Sequence, residues 1–134
     1  MGAWGSGSFE NDDASDWLAE FCHDPKEKVI SDTLSTIAGM NADEYLEGAD
    51  SSVGLAAAEI VAALNGSPNP EMPSEAKECV SKLNVTANPR LVSLALKVVE
   101  RIKTNSELKE LWDESENPSE WYDAVRDLQV RLGG

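Results

Sequence analysis

Glu59 is the side chain in this sequence whose setting most invites chemistry. It interrupts the run Val53-Gly54-Leu55-Ala56-Ala57-Ala58-Glu59-Ile60-Val61-Ala62-Ala63-Leu64, which is otherwise apolar. A helix apolar on every side belongs inside a protein. An ionised carboxylate there must accept hydrogen bonds, bind a cation or take up a proton. One reading makes Glu59 structural, receiving N–H groups from a glycine-rich N-terminal arm or the indole of Trp4. The other joins it with Asp12, Asp13, Asp16 and Glu20 as oxygen ligands for Mg²⁺ or Ca²⁺. Asp16 and Glu20 are four apart and share one helix face. The alternating ligands and central glycine of a calcium loop are absent, so the structural reading is preferred and no metal is assigned.

Other patterns are weaker. Glu107-x-x-Glu110 and Glu120-x-x-Asp123 resemble the paired acids of all-α nucleotide pyrophosphohydrolases, where facing carboxylates hold magnesium against phosphates. Acidic helices produce such spacings freely, and Asn117-Pro118 intervenes. His23 is the only histidine and neighbours Cys22 on a helix, where adjacent residues diverge, so no nucleophile–base pair is expected. There is no nucleophile elbow, phosphate-binding loop or dinucleotide fingerprint. No catalytic residue and no cofactor are assigned, and the chain is expected not to be an enzyme.

The elements that must position these groups are helices. Helix one is expected over Asp12 to Cys22, with Ala14, Trp17, Leu18 and Phe21 on one stripe. Helix two is expected to open at Asp24-Pro25 with Glu27 as capping-box partner, and to end at Gly39. A short helix is expected around Ala42 to Leu46, then the central helix over about 52–64. Ser74 to Leu83, the segment opened by Asn88-Pro89, Ser106 to Glu114, and the segment opened by Asn117-Pro118 complete the set. The expected fold is all-α: a single domain, a compact bundle of about six or seven helices around the central apolar one, with an ordered glycine-rich arm at residues 1–10. Trp4, Phe9, Trp17, Trp112 and Trp121 are the expected aromatic anchors, with Glu59 as the structural polar group.

Charge sets the partners. The chain of 134 residues carries 25 acidic and 11 basic groups, a net charge of -14. Residues 1–76 hold 15 acidic and 2 basic groups, a net of -13, against 10 and 9 in residues 77–134. Such a surface repels nucleic acid and anionic membranes, which need Lys and Arg. It suits a basic protein partner. The apolar run from Val53 to Leu64 is too short to span a bilayer, and no signal peptide is expected. Cys22 and Cys79 each fall on an apolar stripe and are expected to be free thiols in a reduced, cytoplasmic setting. Composition sets no oligomeric state.

The opening Met1-Gly2-Ala3-Trp4-Gly5-Ser6-Gly7-Ser8-Phe9-Glu10-Asn11-Asp12-Asp13-Ala14-Ser15-Asp16-Trp17 resembles the signature of domain-of-unknown-function family 4259, mostly small bacterial proteins. The segments Ala56 to Gly66 and Ser106 to Trp112 are similar to it in the same order. The resemblance implies a compact domain and no particular activity. The function expected from all this is a non-catalytic acidic helical protein that binds another protein, in the manner of an immunity or inhibitor protein. A metal-dependent hydrolase using clustered carboxylates is the alternative.

Overall fold

The apolar run around Glu59 becomes the axis of the molecule. In the computed structural model, which describes residues 12–70, 72–83, 85 and 87–133, it lies in α3, Gly48–Leu64. The other helices are α1 (Asp12–His23), α2 (Glu27–Ala38), α4 (Ser74–Leu83), α5 (Pro89–Thr104), α6 (Glu107–Asp113) and α7 (Pro118–Arg131). α3 packs against all six of them. Ala56, Ala57, Ala58, Ile60, Val61 and Ala62 are fully buried, because a helix surrounded on every side has no face left for polar residues. The described residues contain seven helices and no strand, so the chain is an all-α bundle. None of these helices is long and apolar enough to cross a membrane.

Small residues set the spacing of the bundle. A Cβ placed on Gly54 would lie 2.7 Å from Ile37 Cδ1, 3.0 Å from Ile102 Cδ1 and 3.2 Å from Val98 Cγ1. α2 and α5 therefore close on α3 at a position in its middle that has no side chain. The rest of the core is supplied by single stripes: Ala14, Leu18 and Phe21 from α1, Ile30, Leu34 and Ile37 from α2, and Trp121, Val125 and Leu128 from α7.

Two helix starts follow the local signals. Asn88 Oδ1 accepts from the Leu91 N–H at 2.8 Å, and Ser106 Oγ accepts from the Lys109 N–H at 3.1 Å. Three expectations fail. α2 begins at Glu27 rather than at Asp24-Pro25, and Lys26, its N-cap, makes no side-chain cap. The Asp24 carboxylate instead pairs with Lys26 at 3.0 Å, and Glu27 accepts from Asn88 Nδ2 at 3.2 Å. α3 begins four residues before Ser52, because its cap comes from elsewhere in the chain. Glu107 Oε1 accepts from the Gly48 N–H at 2.6 Å, while the Glu107 N–H donates to the Leu46 carbonyl at 2.8 Å. The short helix around Ala42 to Leu46 does not form. Carbonyls it would need are taken by α5 and the residue after it: Arg101 donates to Asn41 and Glu44, and Asn105 Nδ2 to Ala42.

The cysteines are also corrected. Cys22 of α1 and Cys79 of α4 form a disulfide, with Cα atoms 5.4 Å apart, so neither is a free thiol. Each lies on the inner stripe of its helix as expected. The helices pack against one another, which brings the two stripes together. Pairing across 57 residues cannot be read from one sequence.

Candidate functional site

Glu59 sits in the fourth turn of α3 with 1% of its side chain exposed. Its carboxylate meets Arg131 from the last turn of α7: Nη1 donates to Oε1 at 2.7 Å and Nη2 to Oε2 at 3.2 Å. Two parallel N–H···O bonds of this kind are the strongest arrangement a guanidinium and a carboxylate can make. Asn69, in the proline-punctuated loop after α3, donates Nδ2 to Oε2 at 3.4 Å. Arg131 also donates Nε to Asp127 Oδ2 at 2.8 Å and Nη1 to the Ser67 carbonyl at 3.4 Å. Burial pulls the Arg131 guanidinium down, but Glu59 and Asp127 outweigh it and hold the group above its ordinary value. The carboxylate thus closes α7 and the loop at Ser67 and Asn69 onto the central helix.

The sequence missed Arg131 because the pair is 72 residues apart and i,i+4 spacing ties Arg131 to Asp127. The arm proposed to reach Glu59, with Trp4 and Phe9, lies outside the described residues.

Asp12, Asp13, Asp16 and Glu20 are exposed on α1, whereas Glu59 is inside the bundle. Among the described residues no three His, Cys, Asp or Glu side chains come together where they could hold a metal ion. Glu107, Glu110 and Asp123 are engaged with the protein itself: Glu107 with Gly48, Glu110 with the Tyr45 hydroxyl at 3.0 Å, and Asp123 with Arg126.

The tryptophans of the described residues lie in or against the core. Trp17 stacks on Phe21 with ring centroids 5.4 Å apart, and its Nε1 donates to Thr33 Oγ1 of α2 at 3.2 Å. Trp121 is buried and meets Tyr122 edge-on at 5.0 Å. Trp112 is half-buried against the core. At the surface, Tyr45 is 58% exposed with acids around it. Its hydroxyl is pushed up to about 12, first by loss of water around it, then by the hydrogen bond to Glu110 and the charges of Glu107 and Glu110. Tyr122 donates to Asp113 Oδ1 at 2.7 Å, and Lys109 Nζ meets Asp113 Oδ2 at 2.6 Å. Together these hold the Asp113 carboxyl below its usual range, the lysine acting most strongly.

Fold and site define a class: an acidic all-α bundle whose buried charge is neutralised internally and whose exposed face is anionic. The chain belongs to a family described as a domain of unknown function, DUF4259, whose model matches residues 2–124. No curated protein and no solved structure matches the chain.

Proposed function

We propose that this chain is a non-catalytic binding protein for a basic protein partner, acting as immunity and inhibitor proteins do by covering a cationic surface. One observation carries the reading. Eleven acidic side chains between Asp12 and Glu75 are exposed, and among the described residues only Asp24 and Asp32 are in ion pairs. A surface of uncompensated like charge costs folding stability through self-repulsion. Opposite charge on a partner relieves that cost and speeds encounter, an effect that salt screens over about 10 Å at 0.1 M.

The test is retention of host proteins on the immobilised chain across an ionic-strength series, followed by titration of the chain with the purified retained protein. A one-to-one complex with a basic protein, weakening steeply with salt, is expected. Retention of nothing at low ionic strength removes the proposal. The alternative, a metal-dependent hydrolase, gains no support from the geometry of the described residues.

The proposal places the protein in the cytoplasm. The Cys22–Cys79 bridge weighs against this, because disulfides persist mainly in oxidising compartments. Alkylation of thiols in intact host cells decides: free Cys22 and Cys79 fit the cytoplasm, and a bridged pair excludes it for a conventional reducing cell.

A further inference from the structure

We propose that the groove between α2 and α5 binds a phosphate monoester of metabolite size. The groove encloses about 470 Å³, within the roughly 300–1,000 Å³ of small-molecule sites. α5 carries four basic residues and one acidic one, on a chain whose net charge is -14. Two of the four, Arg90 and Lys97, line the groove. Elsewhere Lys26, Lys28, Lys109, Arg126 and Arg131 have each found a carboxylate, Arg101 and Lys103 bond to carbonyl oxygens, and Lys77 and Lys82 on α4 are unpaired among the described residues, like the groove cations. Arg90 and Lys97 have no ion pair or hydrogen bond to a side chain among the described residues, although acids outnumber bases more than twofold.

The hydroxyls tell the same story. Thr33, Thr36, Ser51, Thr104 and Ser106 donate to the carbonyl four residues back. Ser31 and Ser35 of α2 and Ser93 of α5, all lining the groove, make no such bond, as Ser52 and Ser81 outside it do not. They are left as donors facing a cavity. Arg90, Ser93 and Lys97 stand at i, i+3 and i+7 on one face of α5, so two long cationic side chains bracket the level of Ser93 about 10 Å apart along the axis. Ser31 and Ser35 lie one turn apart on the opposite wall. Two positive charges match a phosphate dianion, and a guanidinium fits its oxygens in pairs. Glu27, held by Asn88 at the α5 start, sets a negative charge at that end of the groove. It pushes the phosphate toward Ser93 and Lys97 and leaves hydroxyl groups of the ester to the serines.

The test is an amide NMR titration of the full chain with glucose 6-phosphate at fixed ionic strength. Saturable shifts centred on residues 31, 35, 93 and 97 are expected, with a Kd on the order of 1 mM or below. Replacing both cations, Arg90→Gln with Lys97→Gln, weakens binding by about tenfold or more. Lys77→Gln with Lys82→Gln on α4, two other cations without an ion pair, leaves it within about twofold. All four side chains are exposed, so the fold is expected to persist. If the first pair nevertheless fails to fold, Ser35→Asp carries the same test by placing a negative charge in the groove. No saturable shift overturns the proposal. So does equal loss in the α4 variant, which means diffuse ion binding, and so does malonate binding as tightly as the phosphate ester.

Discussion

Glu59 and Arg131, 72 residues apart, close the bundle through two parallel hydrogen bonds of 2.7 and 3.2 Å, with the carboxylate 1% and the guanidinium 12% exposed. Removing Arg131 takes the counter-charge from a carboxylate that is 1% exposed, and removing Glu59 leaves Arg131 with Asp127 but without its buried anion. Glu59→Gln should cost about 3 kcal/mol in urea denaturation, and Glu59→Ala up to about 5 kcal/mol. The double change Glu59→Met with Arg131→Met should lose far less than the two single changes combined. Strict additivity of the singles would mean that the pair is not coupled.

Gly54 is the contact point of three helices. Alanine there gains about 1 kcal/mol of helix propensity. Its methyl group meets Ile37, Ile102 and Val98 within 3.2 Å, which opposes that gain by about 2 kcal/mol. A net loss near 1 kcal/mol is expected for Gly54→Ala and a clearly larger one for Gly54→Val, both read as denaturation midpoints. A stabilised Gly54→Ala would show that α2 and α5 yield at no cost.

The disulfide closes a ring across a separation of 57 residues. Loop-closure entropy assigns such a ring about 4 kcal/mol. Thermal melts with and without reductant should therefore differ by many degrees, and the Cys22→Ala with Cys79→Ala chain should melt close to the reduced form and ignore reductant.

Stability should fall at alkaline pH in a way traceable to Tyr45. Its hydroxyl is raised from 10.0 to about 12 in the folded chain. The protonated form is favoured by folding, so this contribution is whole below pH 10 and is lost as pH rises through 12. Tyr45→Phe should flatten part of that limb. Tyr122, Lys28 and Lys109, also raised, act in the same direction. At the acid end Asp113, lowered from 3.8, contributes above that value and loses its contribution as pH falls through its folded value, and Asp113→Asn should remove that share.

Periodicity made most of this architecture legible. The stripes of α1, α4, α5 and α7, and the all-round apolarity of α3, follow from side chains within one or two turns of each other. What was not legible has its partner far away. The start of α3 is fixed by Glu107, the irregular path of residues 41–47 by Arg101 and Asn105, the neutralisation of Glu59 by Arg131, and the state of Cys22 by Cys79. Local signals cannot report a cap or counter-charge supplied from across the bundle. The groove was hidden for the same reason, because Ser31 and Ser35 gain meaning only beside α5.

The bridge from α1 to α4 encloses α2, α3 and the segment between α3 and α4 in one closed covalent ring. A protease that cuts once between α3 and α4 does not release a fragment. Both pieces stay tethered, and the cut chain runs as one species until a thiol is added. A break inside the ring thus leaves all seven helices on one covalent molecule.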